Sequence, residues 1–331
     1  MKRRPVRFWA AIVIVAIVLA IAVVLFKPVS VGDLTSQPDP VTDYAGAVER
    51  IEALQAQEAS LPLSPQCQLK FMTQGQKAEQ AIVFVHGYTN CPEQFGDLGQ
   101  QFYDLGYNVL IVRAPHHGLV DRMTADQARL TAEELTAYAD DVVDIAQGLG
   151  EHVTMAGISM GATTTAWAAL HRSDLDLAVL ISPAFGFQMI PCSITAPAVN
   201  AFLALPNSYM WADSELKEES GTDYTYPRRS TRALAQTLRL GIAVQAQSAE
   251  AAPAARSMLV ITNANDPSVD NGLTAEMVAA WREGDVDVET YEFAAELQLQ
   301  HDLISPWQQT QQVVYPVLVD LVRGAAEGAG E

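Results

Sequence analysis

Residues 153–171 read VTMAGISMGATTTAWAALH. Val153 to Ile158 is a short apolar run with strand character. Ala162 to His171, rich in Ala and Thr with one Trp, has the character of a helix. Between them Gly157, Ile158, Ser159, Met160 and Gly161 spell G-x-S-x-G. Strand, G-x-S-x-G, helix is the context of a nucleophile elbow. Its turn is too sharp for side chains two places either side of the serine, and glycine has no Cβ to clash there. The serine then stands at a helix N-terminus, where unpaired N–H groups and the dipole favour developing negative charge. The motif is short and made of common residues, so its meaning depends on what accompanies it.

Three further segments accompany it. Ala81 to His86 (AIVFVH) is long and β-branched enough for a buried strand, and it runs into His86-Gly87-Tyr88-Thr89-Asn90. Ser257 to Thr262 (SMLVIT) is a second such strand, followed by Asn263-Ala264-Asn265-Asp266-Pro267-Ser268-Val269-Asp270. Asp266 and Asp270 both compete for the role of an acid facing the serine. Asp266 is preferred because it is nearer the strand end, although Asn-Asp-Pro is also ordinary turn chemistry. Val286 to Phe293 alternates apolar with acidic or polar residues, as a half-exposed strand does, and His301 follows it. His301 is the only histidine after Asp266. His86 reads as a structural residue beneath its loop rather than as a base.

The order Ser159, Asp266, His301 resembles that of the α/β-hydrolases, nearest to the carboxylesterase, monoacylglycerol-lipase and serine-aminopeptidase-like group. The resemblance covers roughly residues 66–325. Arg113-Ala114-Pro115-His116-His117-Gly118 is similar to the family's P-G-H-G loop, with His116 where glycine is usual. It implies a mainly parallel central sheet with helices on both faces and an inserted cap. It also implies a Ser159–His301–Asp266 triad acting through an acyl-enzyme, with an oxyanion hole formed by the N–H groups of Tyr88 and Met160. No cofactor or metal is expected, because H-E-x-x-H, zinc-spaced Cys/His clusters and phosphate loops are absent from the sequence.

The N-terminus carries a second signal. Lys2, Arg3, Arg4 and Arg7 precede an unbroken apolar stretch from Phe8 to Phe26. At 1.5 Å per residue such a helix is about 28 Å long, close to a bilayer core. Residues 1–27 are therefore expected to be a single-pass signal anchor with the basic end inside and the remainder extracytoplasmic. Secretion after signal cleavage is the rival, but Lys27-Pro28-Val29-Ser30 offers no good cleavage site. The chain has 20 Lys+Arg against 39 Asp+Glu, a formal net charge of −19, and five of the basic residues flank the span. So acidic a body does not bind nucleic acid or anionic lipid through its charge. Oxidising surroundings allow a disulfide. Cys67 and Cys91 are candidates, provided the first strand neighbours the one before the His86 loop, and Cys192 is left free.

Residues 28–65 are expected to form a linker and an N-terminal helix, with Val29 to Thr42 as a stalk and Val48, Ile51 and Leu54 at helical spacing. Strand and helix then alternate to Ser182. The alternation breaks over about 184–255, the place for a cap, whose aromatic and apolar residues suit an apolar acyl pocket. A last helix is expected over Pro306–Arg323 and a frayed tail over 326–331. The expected substrate is a small-molecule ester with an apolar group. An aminopeptidase or amidase of the same fold is the alternative, with Asp213, Glu215, Glu218, Glu219 and Asp223 available to hold an amine. A non-catalytic binding protein on this fold is the third reading.

Overall fold

The structure is a computed structural model that describes residues 4–284 and 286–329. Its centre is a seven-stranded sheet. In chain order the strands are β1 (Lys70–Met72), β2 (Ala78–Val85), β3 (Asn108–Val112), β4 (Gly150–Ile158), β5 (Leu177–Ile181), β8 (Ser257–Asn263) and β9 (Asp287–Phe293). They lie side by side as β1-β3-β2-β4-β5-β8-β9. Only β1 is antiparallel to its neighbour; every other pairing is parallel. A parallel sheet is covered on both faces, so its inner strands read as continuous apolar runs. β2 shows this: Ala81, Val83 and Val85 face one core, and Ile82 and Phe84 face the other.

Helices α4 (Ala132–Leu149), α5 (Met160–His171), α7 (Thr231–Ser248) and α8 (Asn271–Glu283) close the first face. Helices α3 (Gly96–Asp104) and α9 (Gln311–Ala329) close the second. α4 starts on a capping box, Thr131 with Glu134. α5 is buried along most of its length despite three consecutive threonines, because Thr163, Thr164 and Thr165 return their hydroxyls to the carbonyls of Ser159, Met160 and Gly161.

Four expectations from the sequence change. First, the region 184–255 is not one cap. Helix α6 (Thr195–Ala204) and the hairpin β6 (Tyr209–Trp211) with β7 (Arg228–Ser230) lie outside the main sheet. In contrast α7 buries Ala233, Leu240, Ala243 and Val244 in the central core. Second, residues 29–42 are not a free stalk. The backbone N–H of Gln37 and that of Asp39 donate to Asp140 (2.7 Å) and Asp144 (2.8 Å), and Arg239 Nε donates to the Ser30 carbonyl (2.6 Å). The acidic face of α4 thus straps this segment to the domain. It leads into α2 (Tyr44–Glu58), capped by Asp43 and buried through Ala47 and Ile51. Third, the last helix begins at Gln311, after a separate turn over Pro306–Gln308, and runs on through the expected tail to Ala329. Ala325 and Ala326 are buried in the second core, which holds that end in place; Gly330 and Glu331 lie outside the described residues. Fourth, β1 pairs with β3 and not with β2, yet Cys67 and Cys91 form a disulfide, with their Cα atoms 5.1 Å apart. Two short turns, Pro65–Cys67 and Pro92–Phe95, bring them together instead of adjacent strands. Closing this loop restricts the unfolded chain by about 3 kcal/mol. Reduction is therefore expected to lower the denaturant midpoint by that equivalent, and a thiol count on the oxidised protein should return Cys192 alone.

Candidate active site

Helix α1 (Arg4–Phe26) contains the apolar span Phe8–Phe26, of mean hydropathy 3.2, with none of it buried. By length and composition it suits a membrane span. Lys2 and Arg3 of its basic flank lie outside the described residues.

The sheet brings the singled-out residues to the carboxyl ends of β4, β8 and β9, where ligands bind in open parallel sheets. Ser159 follows β4 directly and has φ 57°, a conformation that costs a non-glycine residue energy and needs support. Its N–H donates to the Ile181 carbonyl (2.9 Å), and its own carbonyl accepts from Thr163 N (3.0 Å). The flanking glycines are required by contact. A Cβ on Gly161 would lie 2.1 Å from the Val85 carbonyl oxygen, and one on Gly157 would lie 2.3 Å from the Gly161 carbonyl.

His301 Nε2 is 2.8 Å from Ser159 Oγ, and His301 Nδ1 is 2.7 Å from Asp266 Oδ2. The other Asp266 oxygen accepts from Ser268 N (2.9 Å) and Val269 N (3.2 Å). Burial pushes the Asp266 carboxyl up. The His301 hydrogen bond and charge and the two backbone N–H groups outweigh it, holding Asp266 below the ordinary carboxylate range. Asp270 sits elsewhere: it caps α8, accepting from Leu273 N (3.1 Å). Met160 opens α5, so its N–H has no acceptor within the helix. The loop carrying Tyr88 passes close above, where a Cβ on Gly87 would stand 3.5 Å from Ser159 Cβ. The Tyr88 hydroxyl is occupied, donating to Gln127 and accepting from Ser230 N (2.9 Å).

Three residues not singled out in the sequence hold this arrangement. Asn263, buried at the end of β8, donates to the carbonyls of Leu299 (2.9 Å) and Gln300 (3.1 Å), fixing the loop just before His301. Gln94 accepts from Gly87 N (2.7 Å) and donates to Asp302 (3.0 Å), tying the Tyr88 loop to the residue after His301. Asp302 also accepts from Asn90 (3.2 Å). None carries a sequence signal, because each is a common polar residue whose partner lies far along the chain. His116 takes φ 64° in the P-G-H-G-like loop, which explains why glycine is usual there; Asp126 (2.8 Å) and Glu134 (3.0 Å) hold its ring.

Two spaces meet at Ser159. The inner is a mainly apolar cavity of about 170 Å³ lined by Phe187, Met189, Met210 and Leu234, with Tyr88, Ser159, Arg229 and His301 also in its wall. The outer is a wider, more polar cleft of about 520 Å³ that reaches Asn90, Asp213, Thr225, Asp302 and Trp307 and shares Arg229.

His86 is fully buried beneath its loop. Its Nε2 accepts from Ala114 N (3.0 Å) and its Nδ1 donates to the Gly87 carbonyl (2.9 Å), which only the neutral ring can do. Burial lowers its pKa to about 4, with a smaller opposing effect from the Gly87 hydrogen bond. Between that value and about 6.5 the unfolded chain binds the extra proton, so stability falls as the pH drops through this window. A loss of about 2 kcal/mol from His86 is expected between pH 7 and pH 5. Buried His117, likewise pushed down by burial, adds in the same direction. Asp266, depressed instead, gives up its contribution only at lower pH. Denaturant titrations at the two pH values, with His86→Gln removing the His86 share, measure this.

Comparison with known proteins agrees with the architecture. The sequence model of the serine aminopeptidase family S33 matches residues 76–303. A thermostable monoacylglycerol lipase from Bacillus sp. (strain H-257) is 26% identical over 165 residues. That match spans 48% of this chain and 60% of the relative's length. Among solved structures, a metagenome-derived lipolytic enzyme superposes with a TM-score of 0.59 at 18% identity, over 79% of this chain and 99% of that one. A soluble variant of the monoglyceride lipase of Saccharomyces cerevisiae gives 0.59 at 12% identity, over 79% and 96%. With more than half its length matched by the family and the sheet order above, the chain belongs to the serine aminopeptidase S33 family of α/β-hydrolases.

Proposed function

We propose that this protein is a serine hydrolase that cleaves carboxylic esters bearing an apolar acyl group. The observation that carries this reading is the hydrogen-bonded line Ser159–His301–Asp266 opening onto an apolar cavity. In the proposed mechanism His301 Nε2 takes the Ser159 proton as Oγ attacks the ester carbonyl. Asp266 holds the imidazole in the required tautomer and stabilises its charge. The N–H groups of Tyr88 and Met160 receive the oxyanion. His301 then protonates the leaving alcohol and activates the water that releases the acid. The acyl chain occupies the inner cavity and the alcohol the outer cleft.

Likeness to a monoacylglycerol lipase supports ester chemistry. The aminopeptidase alternative needs an anionic group to hold a free amine. Of the acidic residues suited to this, Asp213 alone lines the outer cleft, and one of its oxygens already accepts from the N–H groups of Glu215 and Leu216. The intact hydrogen-bonded line argues against a purely binding role.

The proposal extends to location: residues 1–27 anchor the protein in the cell membrane, and the hydrolase domain, 66–325, lies outside the cytoplasm. Asn200 of α6 supports an uncleaved anchor. Its amide donates to the carbonyls of Leu25 (3.0 Å) and Lys27 (2.8 Å), groups left unpaired at the end of the span. Ile194 and Leu205, at the two ends of α6, and Met189, which lines the apolar cavity, are exposed, and such apolar surface suits a neighbouring membrane. Hydrolysis of p-nitrophenyl esters of rising acyl length, against an aminoacyl p-nitroanilide, tests the function. Turnover of the esters with a medium-chain optimum is expected, and exclusive turnover of the anilide would move the assignment to the peptidase reading.

A further inference from the structure

Arg229 stands apart from the other arginines of this protein. From Arg50 to Arg323 every other arginine meets a carboxylate or a carbonyl. Arg50, Arg113, Arg129, Arg172, Arg239, Arg256 and Arg323 pair with acids, and Arg122, Arg228, Arg232 and Arg282 bond to backbone oxygens. Among the described residues the Arg229 guanidinium has no hydrogen-bond or ion-pair partner, in a chain with nearly twice as many acidic as basic residues. Side chains alternate along a strand. In β7 Arg228 lies over the Tyr209 ring, 3.8 Å from its centroid, while Arg229 lines both spaces that meet at Ser159. It is half-buried, and burial lowers its pKa; the nearby Tyr88 phenol cannot neutralise it, because burial keeps that phenol protonated. A half-buried cation that faces a cleft and has no protein partner is free to pair with an anionic ligand. A guanidinium offers planar, two-pronged recognition of a carboxylate or phosphate.

We infer that Arg229 binds an anionic group on the alcohol half of the substrate, so that the natural substrate is an acidic ester: an apolar acyl group joined to an alcohol that bears a phosphate or a carboxylate. This inference rests on the ester-hydrolase reading. The placement follows from the two spaces. The apolar cavity takes the acyl chain, and the charged group is left in the polar cleft, within reach of Arg229. The acidic groups facing that cleft are already engaged: Asp302 by Asn90 and Gln94, and Asp213 by the N–H groups of Glu215 and Leu216. The overall charge of −19 does not forbid such a substrate. Repulsion by distant surface charges is screened over about 8 Å at physiological salt, whereas the contact with Arg229 is direct.

The test compares three soluble esters: 1-hexanoylglycerol, 1-hexanoylglycerol 3-phosphate and O-hexanoyl glycolate. Full-length protein is expected to favour an anionic ester over the neutral one by about tenfold or more in kcat/KM. The better of the two acidic esters tells phosphate from carboxylate. Arg229→Met should abolish the ratio, and Arg229→Lys should keep part of it. An unchanged ratio in Arg229→Met, or a preference for the neutral ester, overturns the inference. Turnover is not needed for a decision. Calorimetry with Ser159→Ala should show the same preference in binding, lost in the double variant Ser159→Ala/Arg229→Met. Equal affinities there contradict the role of Arg229, whereas absence of turnover with all three esters contradicts the ester-hydrolase reading. Should Arg229→Met not fold, competitive inhibition of the wild type by millimolar glycerol 3-phosphate or glycolate is expected, and inhibition by neither overturns the inference.

Discussion

Asp266→Asn is expected to lower kcat for ester hydrolysis by about 10⁴-fold while the protein still melts cooperatively. The size follows from which way the new amide must point. One oxygen of Asp266 accepts from the N–H groups of Ser268 and Val269, so the asparagine keeps its carbonyl oxygen there and turns its NH₂ toward His301. His301 Nδ1 must then accept a hydrogen bond where it formerly donated one, and the proton moves to Nε2. In that tautomer Nε2 cannot take the proton of Ser159, which lies 2.8 Å away. Asp270→Asn should change kcat little, because asparagine caps a helix as well as aspartate does and Asp270 serves as the cap of α8. Kinetics and a melting curve for both variants check this pair. Loss of activity in Asp270→Asn with retention in Asp266→Asn would reverse the assignment of the acid.

Gly161→Ala is expected to cost about 3 kcal/mol or more and to give insoluble or unfolded protein. Helix propensity alone predicts the opposite, a gain of about 1 kcal/mol for alanine within a helix. The steric contact decides the sign. The added Cβ would sit 2.1 Å from the carbonyl oxygen of Val85 and 2.8 Å from that of His86. Both belong to the backbone at the end of β2, in the middle of the sheet, so neither yields without lifting α5 away. Gly324→Ala is the matched control. Gly324 is exposed within α9, and a Cβ there meets nothing within 4 Å. It should show the propensity gain. Denaturant titration of soluble material separates the two outcomes.

The parts of this fold that were legible in the sequence are those written in local pattern. All seven strands of the main sheet are apolar or alternating runs, and Gly157 and Gly161 mark a turn whose geometry excludes side chains. Residues 184–255 were less legible. α7 and the outer elements α6, β6 and β7 have similar apolar content, and only tertiary packing separates a core helix from a roof. The docked segment 29–42 misleads for a related reason: its Pro, Asp and Ser content suits a free linker, yet its backbone N–H groups are met by Asp140 and Asp144, a hundred residues away. Asn263, Gln94 and Arg229 were invisible because their importance lies in what each one touches, or fails to touch.

The central claim is that Ser159 is an activated nucleophile. A fluorophosphonate forms a covalent bond with a serine only where a neighbouring base takes its proton, so intact-mass and peptide mass spectrometry after such labelling tests the claim directly. One adduct per chain is predicted, on the peptide containing Ser159, absent from Ser159→Ala and strongly slowed in His301→Ala. Folded wild-type protein that takes no adduct, or takes it at another residue, would contradict the account.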